Sequence, residues 1–416
     1  MYADHAATAF PTLFTGFDCG NGMGWANAGG AHTPAKQARA ALTGAHGAIC
    51  NALRATTTHG RLVTTGGGTE GTNLVLQGHK WDYIVTVPTE HNATVATAQY
   101  LQNYANVEVI WLPVDGVGLI CPNTLLEAVV RASAGGQRKG LVSFALVNSE
   151  IGTVQNLSLI CRLLSPFRPP LAPDGKFSPE QSVWVHIDAV QAIGHLPVNV
   201  DEMGIDFLTL SAHKFHGPPG VGVLWCRGAQ PPPHQRSLLH GGHQQDGWRP
   251  GTEPVALIVG MAEALADATN PEYLETRLKF FHDATAMIWV VLMPYVVSGV
   301  VLPTGPALPP HRTPNHISFC VRNVHRDWII ERLDEFGISA SGGSACNTGT
   351  GLPSPVLVAV KIPNQYIQGS VRLTLSHTNT MREISSVLCP ALQRVLDAVV
   401  QAEEEGSPHA LHVSHA

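Results

Sequence analysis

A lysine in residues 211–220 has the sequence surroundings of a covalent nucleophile. Lys214 lies just beyond the apolar run 207–210, and a turn rich in glycine and proline follows it. If that run is a strand, the lysine sits at its carboxyl end, where a partly desolvated amine can form a Schiff base. A surface lysine before a turn is the alternative interpretation of this segment taken alone.

Three other groups follow apolar runs in the same way. Asp188 follows the run 183–187, and a carboxylate there can keep a pyridine nitrogen protonated. The glycine turn at 65–70 can cradle a phosphate with the backbone N–H groups of a helix start. His91 follows the run 83–87, and an imidazole can stack on a ring and move protons near neutral pH. Each group taken singly is also compatible with an ordinary helix cap or turn.

These groups meet only if one sheet brings the strand ends together. Between residues 60 and 226, short apolar runs alternate with amphipathic stretches, which predicts a mostly parallel sheet covered by helices on both faces. Ligands of such sheets bind beyond the carboxyl ends of the strands. The predicted strands are 61–65, 83–87, 107–112, 141–147, 183–187, 207–210 and 221–226, and the predicted helices lie near 70–78, 91–103, 123–133 and 157–164.

The pattern changes after about residue 270 and predicts a smaller α/β domain. Its predicted elements are a long helix, strands near 296–301, 315–321 and 370–375, a helix at 325–336 and a last helix to about 403. The apolar run 287–302 is interrupted by Pro294 and Gly299, which favours a core helix running into a strand over a membrane span. The predicted domains are an N-terminal segment near the small domain (1–14), a large domain (15–265), the small domain (266–402) and a disordered tail (403–416).

Composition excludes several classes of protein. The chain has 416 residues, of which 44% are hydrophobic and 13% charged, and its net charge is −6. A net negative charge gives no basic surface, so we expect neither a nucleic-acid nor a membrane partner. The eight cysteines show no CxxC spacing, so neither a zinc site nor a disulfide framework is predicted. Scattered thiols and a start without the pattern of a leader peptide predict a cytoplasmic protein.

Taken together, these segments resemble the cysteine desulfurase (NifS/IscS-like) and selenocysteine lyase group of class V aminotransferase-fold enzymes. That group uses pyridoxal 5′-phosphate (PLP), so the resemblance implies the fold type I of PLP-dependent transferases and a homodimer. The matching stretches occur in the family's order: YADHAAT (2–8), Asn27 to His32, GGTE (67–70), EH (90–91), VNSEIG (147–152), HIDAVQ (186–191), AHKFHGP (212–218), RPGTE (249–253), SGGSAC (341–346) and VRLTL (371–375).

The resemblance implies a role for each matched residue. Lys214 would carry PLP and move the substrate's α-proton, Asp188 would pair with the ring nitrogen, and His91 would stack on the ring. Gln191 would bind the ring hydroxyl oxygen, and Ser149 stands where the family has a ring-contacting asparagine. The remaining implied contacts are with the phosphate (Gly68, Thr69, Ser211, His213 and, from the second subunit, Thr252) and with the substrate carboxylate (Arg372, helped by Asn27).

Cys346 lies in a segment rich in glycine and serine, 341–355, whereas Cys320 lies within an apolar run. A cysteine on a polar loop suits a nucleophile that approaches the cofactor and then carries its product away. The resemblance implies that Cys346 takes sulfur from L-cysteine as a persulfide, leaving L-alanine. It also implies a sulfur-acceptor protein, for which the Pro-rich insertion 166–182 and the tail are candidate binding places.

Other interpretations stay open at this point. A selenocysteine lyase acting on L-selenocysteine has similar motifs, and a non-catalytic protein of this fold is a second alternative. A conventional transaminase gives Cys346 no role. Four residues depart from the family pattern, namely Ser149, Pro219, Asp246 and Thr374. Asp246 is predicted to lie near the rim of the site.

Overall fold

The computed structural model describes residues 1–9, 26–55, 60–172, 174–178, 180–228, 237–343 and 353–406. A seven-stranded sheet forms the centre of the larger part. Its strands are β1 (Gly60–Thr65), β2 (Tyr83–Thr86), β3 (Glu108–Trp111), β4 (Gly140–Ala145), β5 (Val183–Asp188), β6 (Phe207–Ser211) and β7 (Gly222–Arg227). The spatial order is β1-β7-β6-β5-β4-β2-β3. Only β7 runs against its neighbours, so the sheet is mostly parallel as predicted.

Helices cover both faces of this sheet because both faces are apolar. Tyr83 and Val85 of β2 pack into one core cluster, and Ile84 between them packs into another on the opposite face. This period-two alternation within a fully buried strand requires a helical layer on each side. The helices of this part are α1 (Thr33–Ala52), α2 (Gly68–Gln77), α3 (Asn92–Tyr104), α4 (Pro122–Ser133), α5 (Leu157–Leu164), α6 (Val200–Met203) and α7 (Val255–Thr269).

The smaller part contains a three-stranded antiparallel sheet with the order β10-β9-β8. Its strands are β8 (Val301–Pro303), β9 (His316–Val321) and β10 (Ser370–Thr374). Its helices are α8 (Pro271–Val297), α9 (Arg326–Glu335), α10 (Pro355–Ala359), α11 (Asn364–Ile367), α12 (Met381–Glu383) and α13 (Cys389–Glu404). The predicted strand at 296–301 is wrong: α8 continues through Pro294 to Val297, and the strand begins at Val301.

Helix α8 is long and apolar enough, by length and composition alone, to cross a membrane. A single helix of this kind is weak evidence for a span, because core helices pass the same test. One side of α8 packs into the small-domain core through Phe281, Ala284, Ile288 and Leu292. This packing gives the helix the core role that its sequence predicts.

The N-terminal segment and the Pro-rich insertion lie at different places. Tyr2 and Asp4 form bridges with Ser339 and Thr374 of the small domain. In the insertion, Arg168 pairs with the buried Asp206 just before β6. The insertion therefore lies at the amino ends of the strands, opposite the end where ligands of parallel sheets bind. The domain boundaries stay predictions, and residues 407–416 of the predicted tail lie outside the described residues.

Candidate active site

A cavity of about 800 Å³ opens at the carboxyl ends of the parallel strands. It is lined by ten of the thirteen residues that the sequence nominates: Gly68, Thr69, His91, Ser149, Asp188, Gln191, Ser211, His213, Lys214 and Arg372. Asn27 and Thr252 are not among its lining residues, and Cys346 lies outside the described residues. Motifs as far apart as residues 68 and 372 thus converge on one space.

Lys214 ends a single 3-10 turn, Ala212–Lys214, directly after β6. Its Nζ donates to the carbonyl oxygens of Ala6 and Ala7, the latter at 2.8 Å, and Gln191 Nε2 also donates to Ala6 O at 3.0 Å. The N-terminal segment therefore holds the amine through two backbone carbonyls. This arrangement keeps the amine in the cavity and partly desolvated, which a Schiff-base lysine requires.

Asp188 ends β5 and is buried. Its Oδ1 accepts a hydrogen bond from Val190 N at 2.9 Å. Burial raises the pKa of this carboxyl, and the Val190 N–H together with nearby His91 and Lys214 opposes the rise. A protonated ring nitrogen would supply the positive partner that a buried carboxylate needs.

Glu90 is a second buried carboxyl on the cavity wall, and the sequence motifs predict no role for it. Burial raises its pKa to about 8, a backbone hydrogen bond from Ala145 opposes the rise, and the charge of Asp188 adds to it. Glu90 Oε2 has no hydrogen-bond partner among the described residues. This carboxyl is therefore mostly protonated at pH 7.

His91 caps helix α3, and the cap fixes its ring. Its Nδ1 accepts a hydrogen bond from Ala93 N at 3.1 Å. Because Nδ1 is an acceptor, the neutral ring carries its proton on Nε2. The capping role and the predicted stacking role are compatible, since the ring lines the cavity while its Nδ1 holds the helix.

The glycine turn between β1 and α2 forms an anion cradle. Helix α2 begins at Gly68 without a side-chain cap, so its first N–H groups are available to a phosphate. Gly67 has φ +147°, and a Cβ at Gly68 would lie only 2.8 Å from Val190 Cγ2, so both positions require glycine. Across the turn, burial and the nearby Lys214 lower the pKa of His213 to about 4, so this ring is neutral at pH 7.

Arg372 of β10 reaches the cavity from the small domain and is buried. Its Nη1 donates to Ser149 O at 2.9 Å and its Nη2 to Asp4 Oδ1 at 2.7 Å. Its Nε is buried without a partner in the part of the chain that the structure describes. A guanidinium that lines the cavity can pair with a ligand carboxylate.

These observations show that the cavity fits PLP. The uncapped glycine turn suits the phosphate, Asp188 suits the ring nitrogen and Lys214 suits the aldehyde carbon. No group of three or more metal-ligating side chains with suitable geometry occurs in the described ranges.

One expectation from the departures needs correction. Asp246 does not line the cavity but pairs with Arg61 of β1, and the preceding Gln245 bonds both Thr64 N and Thr64 O, at 2.6 and 3.0 Å. The acidic residue thus balances an arginine at the sheet edge. Ser149 does line the cavity, and the hydrogen bond it supplies comes from its backbone carbonyl, which binds Arg372.

Sequence reasoning also missed groups from distant segments. Asp4 binds Arg372, and Ala6 and Ala7 bind Lys214, across more than 200 residues. Glu150 and Ser354 form a buried hydrogen bond near Arg372. Glu90 could have been found, because it directly precedes His91 after a predicted strand.

A search of family models matches residues 20–387 of the chain to the aminotransferase class-V family. The chain belongs to this family, whose members are PLP-dependent enzymes, and the fold class predicted from the sequence is confirmed. Among curated relatives, the cysteine desulfurase IscS of Dictyoglomus turgidum is 33% identical over 379 residues, covering 88% of this chain and 86% of that protein. The IscS-like cysteine desulfurase of Mycobacterium tuberculosis is 31% identical, covering 87% of each.

Solved structures agree with this family. A NifS-like protein superposes with a TM-score of 0.80 at 26% identity, covering 96% of this chain and 99% of that one. The structure titled SspA in complex with cysteine superposes with a TM-score of 0.70 at 25% identity, covering 90% and 98%. Both structures cover the large and the small part of this chain.

Proposed function

We propose that this chain is a PLP-dependent cysteine desulfurase that converts L-cysteine to L-alanine and passes the sulfur to Cys346 as a persulfide. The observation that carries the proposal is the convergence of Lys214, Asp188, the glycine turn and Arg372 on one cavity. The curated relatives named cysteine desulfurase favour this function over selenocysteine lyase, transaminase or a non-catalytic role.

Each residue of the cavity has a role in the proposed reaction that follows from its position. Bound PLP supplies a carbonyl that captures the substrate amine and a ring that withdraws electrons from its Cα. Asp188 keeps the ring nitrogen protonated, and Gln191 and His91 hold the ring in place. Lys214, oriented by the Ala6 and Ala7 carbonyls, moves the proton at the substrate's Cα. Arg372 lines the cavity and binds the substrate carboxylate, so the β-carbon and its sulfur are held in one orientation.

The assignment of the sulfur-accepting nucleophile is also part of the proposal. Cys346 lies outside the described residues, and its support is the sequence match SGGSAC at 341–346. Four of the described cysteines are buried, and burial raises the pKa of Cys161 and Cys320 to about 12 and that of Cys226 well above its usual range. These three thiols are poor nucleophiles, since the thiolate is the reactive form.

The proposal extends to a homodimer in the cytoplasm. Thr252 is exposed and does not line the cavity of its own chain, so a phosphate contact by this residue requires a second copy. The described cysteines are free, which agrees with a reducing compartment. A sulfur-acceptor protein remains part of the proposal without a located surface. Sedimentation equilibrium tests the dimer: a monomer that retains full activity would refute the role of Thr252.

The experiment that tests the function is alanine release from L-cysteine and from L-selenocysteine, side by side, with PLP and a reductant. Cys346→Ser is the control. We expect alanine from L-cysteine, lost in the variant. In a parallel reaction without the reductant, we expect a mass increase of one sulfur on Cys346 in the wild type. Alanine from L-selenocysteine alone would make the chain a lyase, and no visible cofactor band after adding PLP would make it non-catalytic.

A further inference from the structure

A carboxylate occupies the first turn of α2, the helix whose start would receive the cofactor phosphate. Glu70 is the third residue of this helix and lines the cavity together with Gly68 and Thr69. Its negative charge is favourable beside a helix N-terminus, but it repels a phosphate bound there. A phosphate cradle at this place therefore requires that the charge of Glu70 be held back or offset.

The carboxylate of Glu70 also determines which backbone N–H groups of the glycine turn are open to a ligand. Glu70 Oε2 accepts a hydrogen bond from Gly66 N at 2.6 Å. Gly67 N donates to Thr65 Oγ1 at 3.4 Å. The turn thus uses these two N–H groups internally, and the N–H groups of the first helical turn, from Gly68 onward, are left for the phosphate.

Arg249 holds the Glu70 carboxylate through both of its oxygen atoms. Arg249 Nε donates to Oε1 at 2.9 Å, and Nη2 donates to Oε2 at 3.4 Å. The two side chains are only 23% and 26% exposed, so salt screens this pair less than an open surface pair. Arg249 itself is not among the residues that line the cavity. Its cation therefore acts on the carboxylate.

The backbone of Arg249 is attached to the edge strand of the large sheet. Gln245 Nε2 donates to Arg249 O at 3.4 Å and to Thr64 O at 3.0 Å. Gln245 Oε1 accepts from Thr64 N at 2.6 Å. Because β1 ends at Thr65, directly before the glycine turn, the arginine and the turn are both fixed to this one strand.

We propose that Arg249 is a positioning residue for the cofactor phosphate and that it acts through Glu70. The guanidinium keeps the carboxylate on Gly66 N and offsets its negative charge, so the start of α2 attracts the phosphate. Because the role concerns the phosphate of PLP, it rests on the proposed function. Arg249 sets how tightly the phosphate is bound without contacting PLP itself.

The test compares the dissociation constants of PLP and of pyridoxal, which lacks the phosphate. Each is titrated by its visible band into protein whose PLP has been removed from the holoenzyme. Arg249→Gln removes the cation, Arg249→Lys keeps it, and the double variant Arg249→Gln/Glu70→Gln removes both charges. Arg322→Gln is the matched control, since Arg322 binds Glu403 in the small domain through two contacts of 3.1 and 2.8 Å.

We expect Arg249→Gln to bind PLP about tenfold more weakly than the wild type, because the charge of Glu70 is then no longer offset. Arg249→Lys should lose at most about threefold, since a lysine restores the charge without the two-point geometry. The double variant should bind PLP about fivefold more tightly than Arg249→Gln, because no charge is left to offset. Every variant should bind pyridoxal as the wild type does, and the control should match the wild type with both ligands.

Two results would overturn this role of Arg249. A double variant that binds PLP no more tightly than Arg249→Gln would mean that the arginine contacts the phosphate itself or only stabilises the fold. An equal loss of affinity for pyridoxal would mean that the substitution disturbs the whole cavity. A wild type that forms no visible band with PLP would refute the proposed function as well, whereas unchanged PLP affinity in Arg249→Gln would refute the role of Arg249 alone.

Discussion

The floor and the rim of the cavity are built in opposite ways. The floor, formed by the glycine turn, Asp188 and Lys214, consists of residues that directly follow strands of one sheet. The rim, formed by residues 4–7, Glu150 and Arg372, consists of groups whose hydrogen bonds span 204 to 368 residues of sequence. The floor is therefore a property of one sheet, and the rim depends on the docking of the N-terminal segment and the small domain.

Their chemistry differs as well. Floor groups meet the cofactor, which stays bound between turnovers, so their contacts suit one permanent ligand. Rim groups meet a substrate that enters and leaves, and Arg372 lines the cavity while Asp4 and Ser149 hold its two terminal nitrogens. Substitutions in the floor should therefore alter the binding or the spectrum of the cofactor, and substitutions in the rim should alter KM for the substrate.

The largest effect is expected at the floor. Lys214→Ala removes both the covalent link to PLP and the group that moves the α-proton, so turnover should fall on the order of 10³-fold. After borohydride reduction, intact-mass spectrometry should show the cofactor mass on the wild type and not on the variant. Lys279→Ala, an exposed lysine on α8, is the control and should behave as the wild type. A cofactor adduct on the Lys214→Ala chain would place the covalent link elsewhere.

A smaller effect is expected at the rim from Asp4→Asn. Asparagine keeps an oxygen for Arg372 Nη2 but removes the negative charge that offsets the guanidinium. The attraction of Arg372 for a substrate carboxylate should then increase, and KM for L-cysteine should fall by about two- to fivefold at low salt. Steady-state kinetics at two ionic strengths checks this, and a KM that rises would show that the Asp4 charge is needed to position Arg372.

The smallest effect on turnover, but a clear effect on stability, is expected from Glu90→Gln. The pKa of Glu90 is about 8 in the folded protein and near 4.5 when unfolded. Between these two pH values the folded state keeps a proton on Glu90 that the unfolded state has lost. The contribution of Glu90 to the free energy of unfolding is therefore fully present below pH 4.5 and is lost as the pH rises to 8. The loss amounts to at most about 5 kcal/mol.

Thermal unfolding of Glu90→Gln should therefore depend less on pH between 5 and 8 than that of the wild type, and the variant should gain relative stability at pH 8. Glu127→Gln, an exposed glutamate on α4, is the matched control. Parallel curves for Glu90→Gln and the wild type would mean that Glu90 is ionised throughout this range.

The floor could be predicted from the sequence, and most of the rim could not. Strand, turn and lysine are adjacent in the chain around Lys214, so periodicity alone places the amine at a strand end. The pairing of Glu150 with Ser354 has no local pattern, because it depends on how two domains dock. The strand expected at 296–301 was wrong for a similar reason: tertiary packing carries α8 past Pro294, which the local pattern interprets as a break.

The most direct test of the division between floor and rim compares Asp188→Asn with Arg372→Gln. The absorption spectrum of bound PLP and KM for L-cysteine are measured for both, with Arg322→Gln, which loses an ion pair to Glu403 in the small domain, as the control. The account predicts a changed spectrum in Asp188→Asn, and an unchanged spectrum with KM raised at least about tenfold in Arg372→Gln. A changed spectrum or an unchanged KM in Arg372→Gln would contradict it.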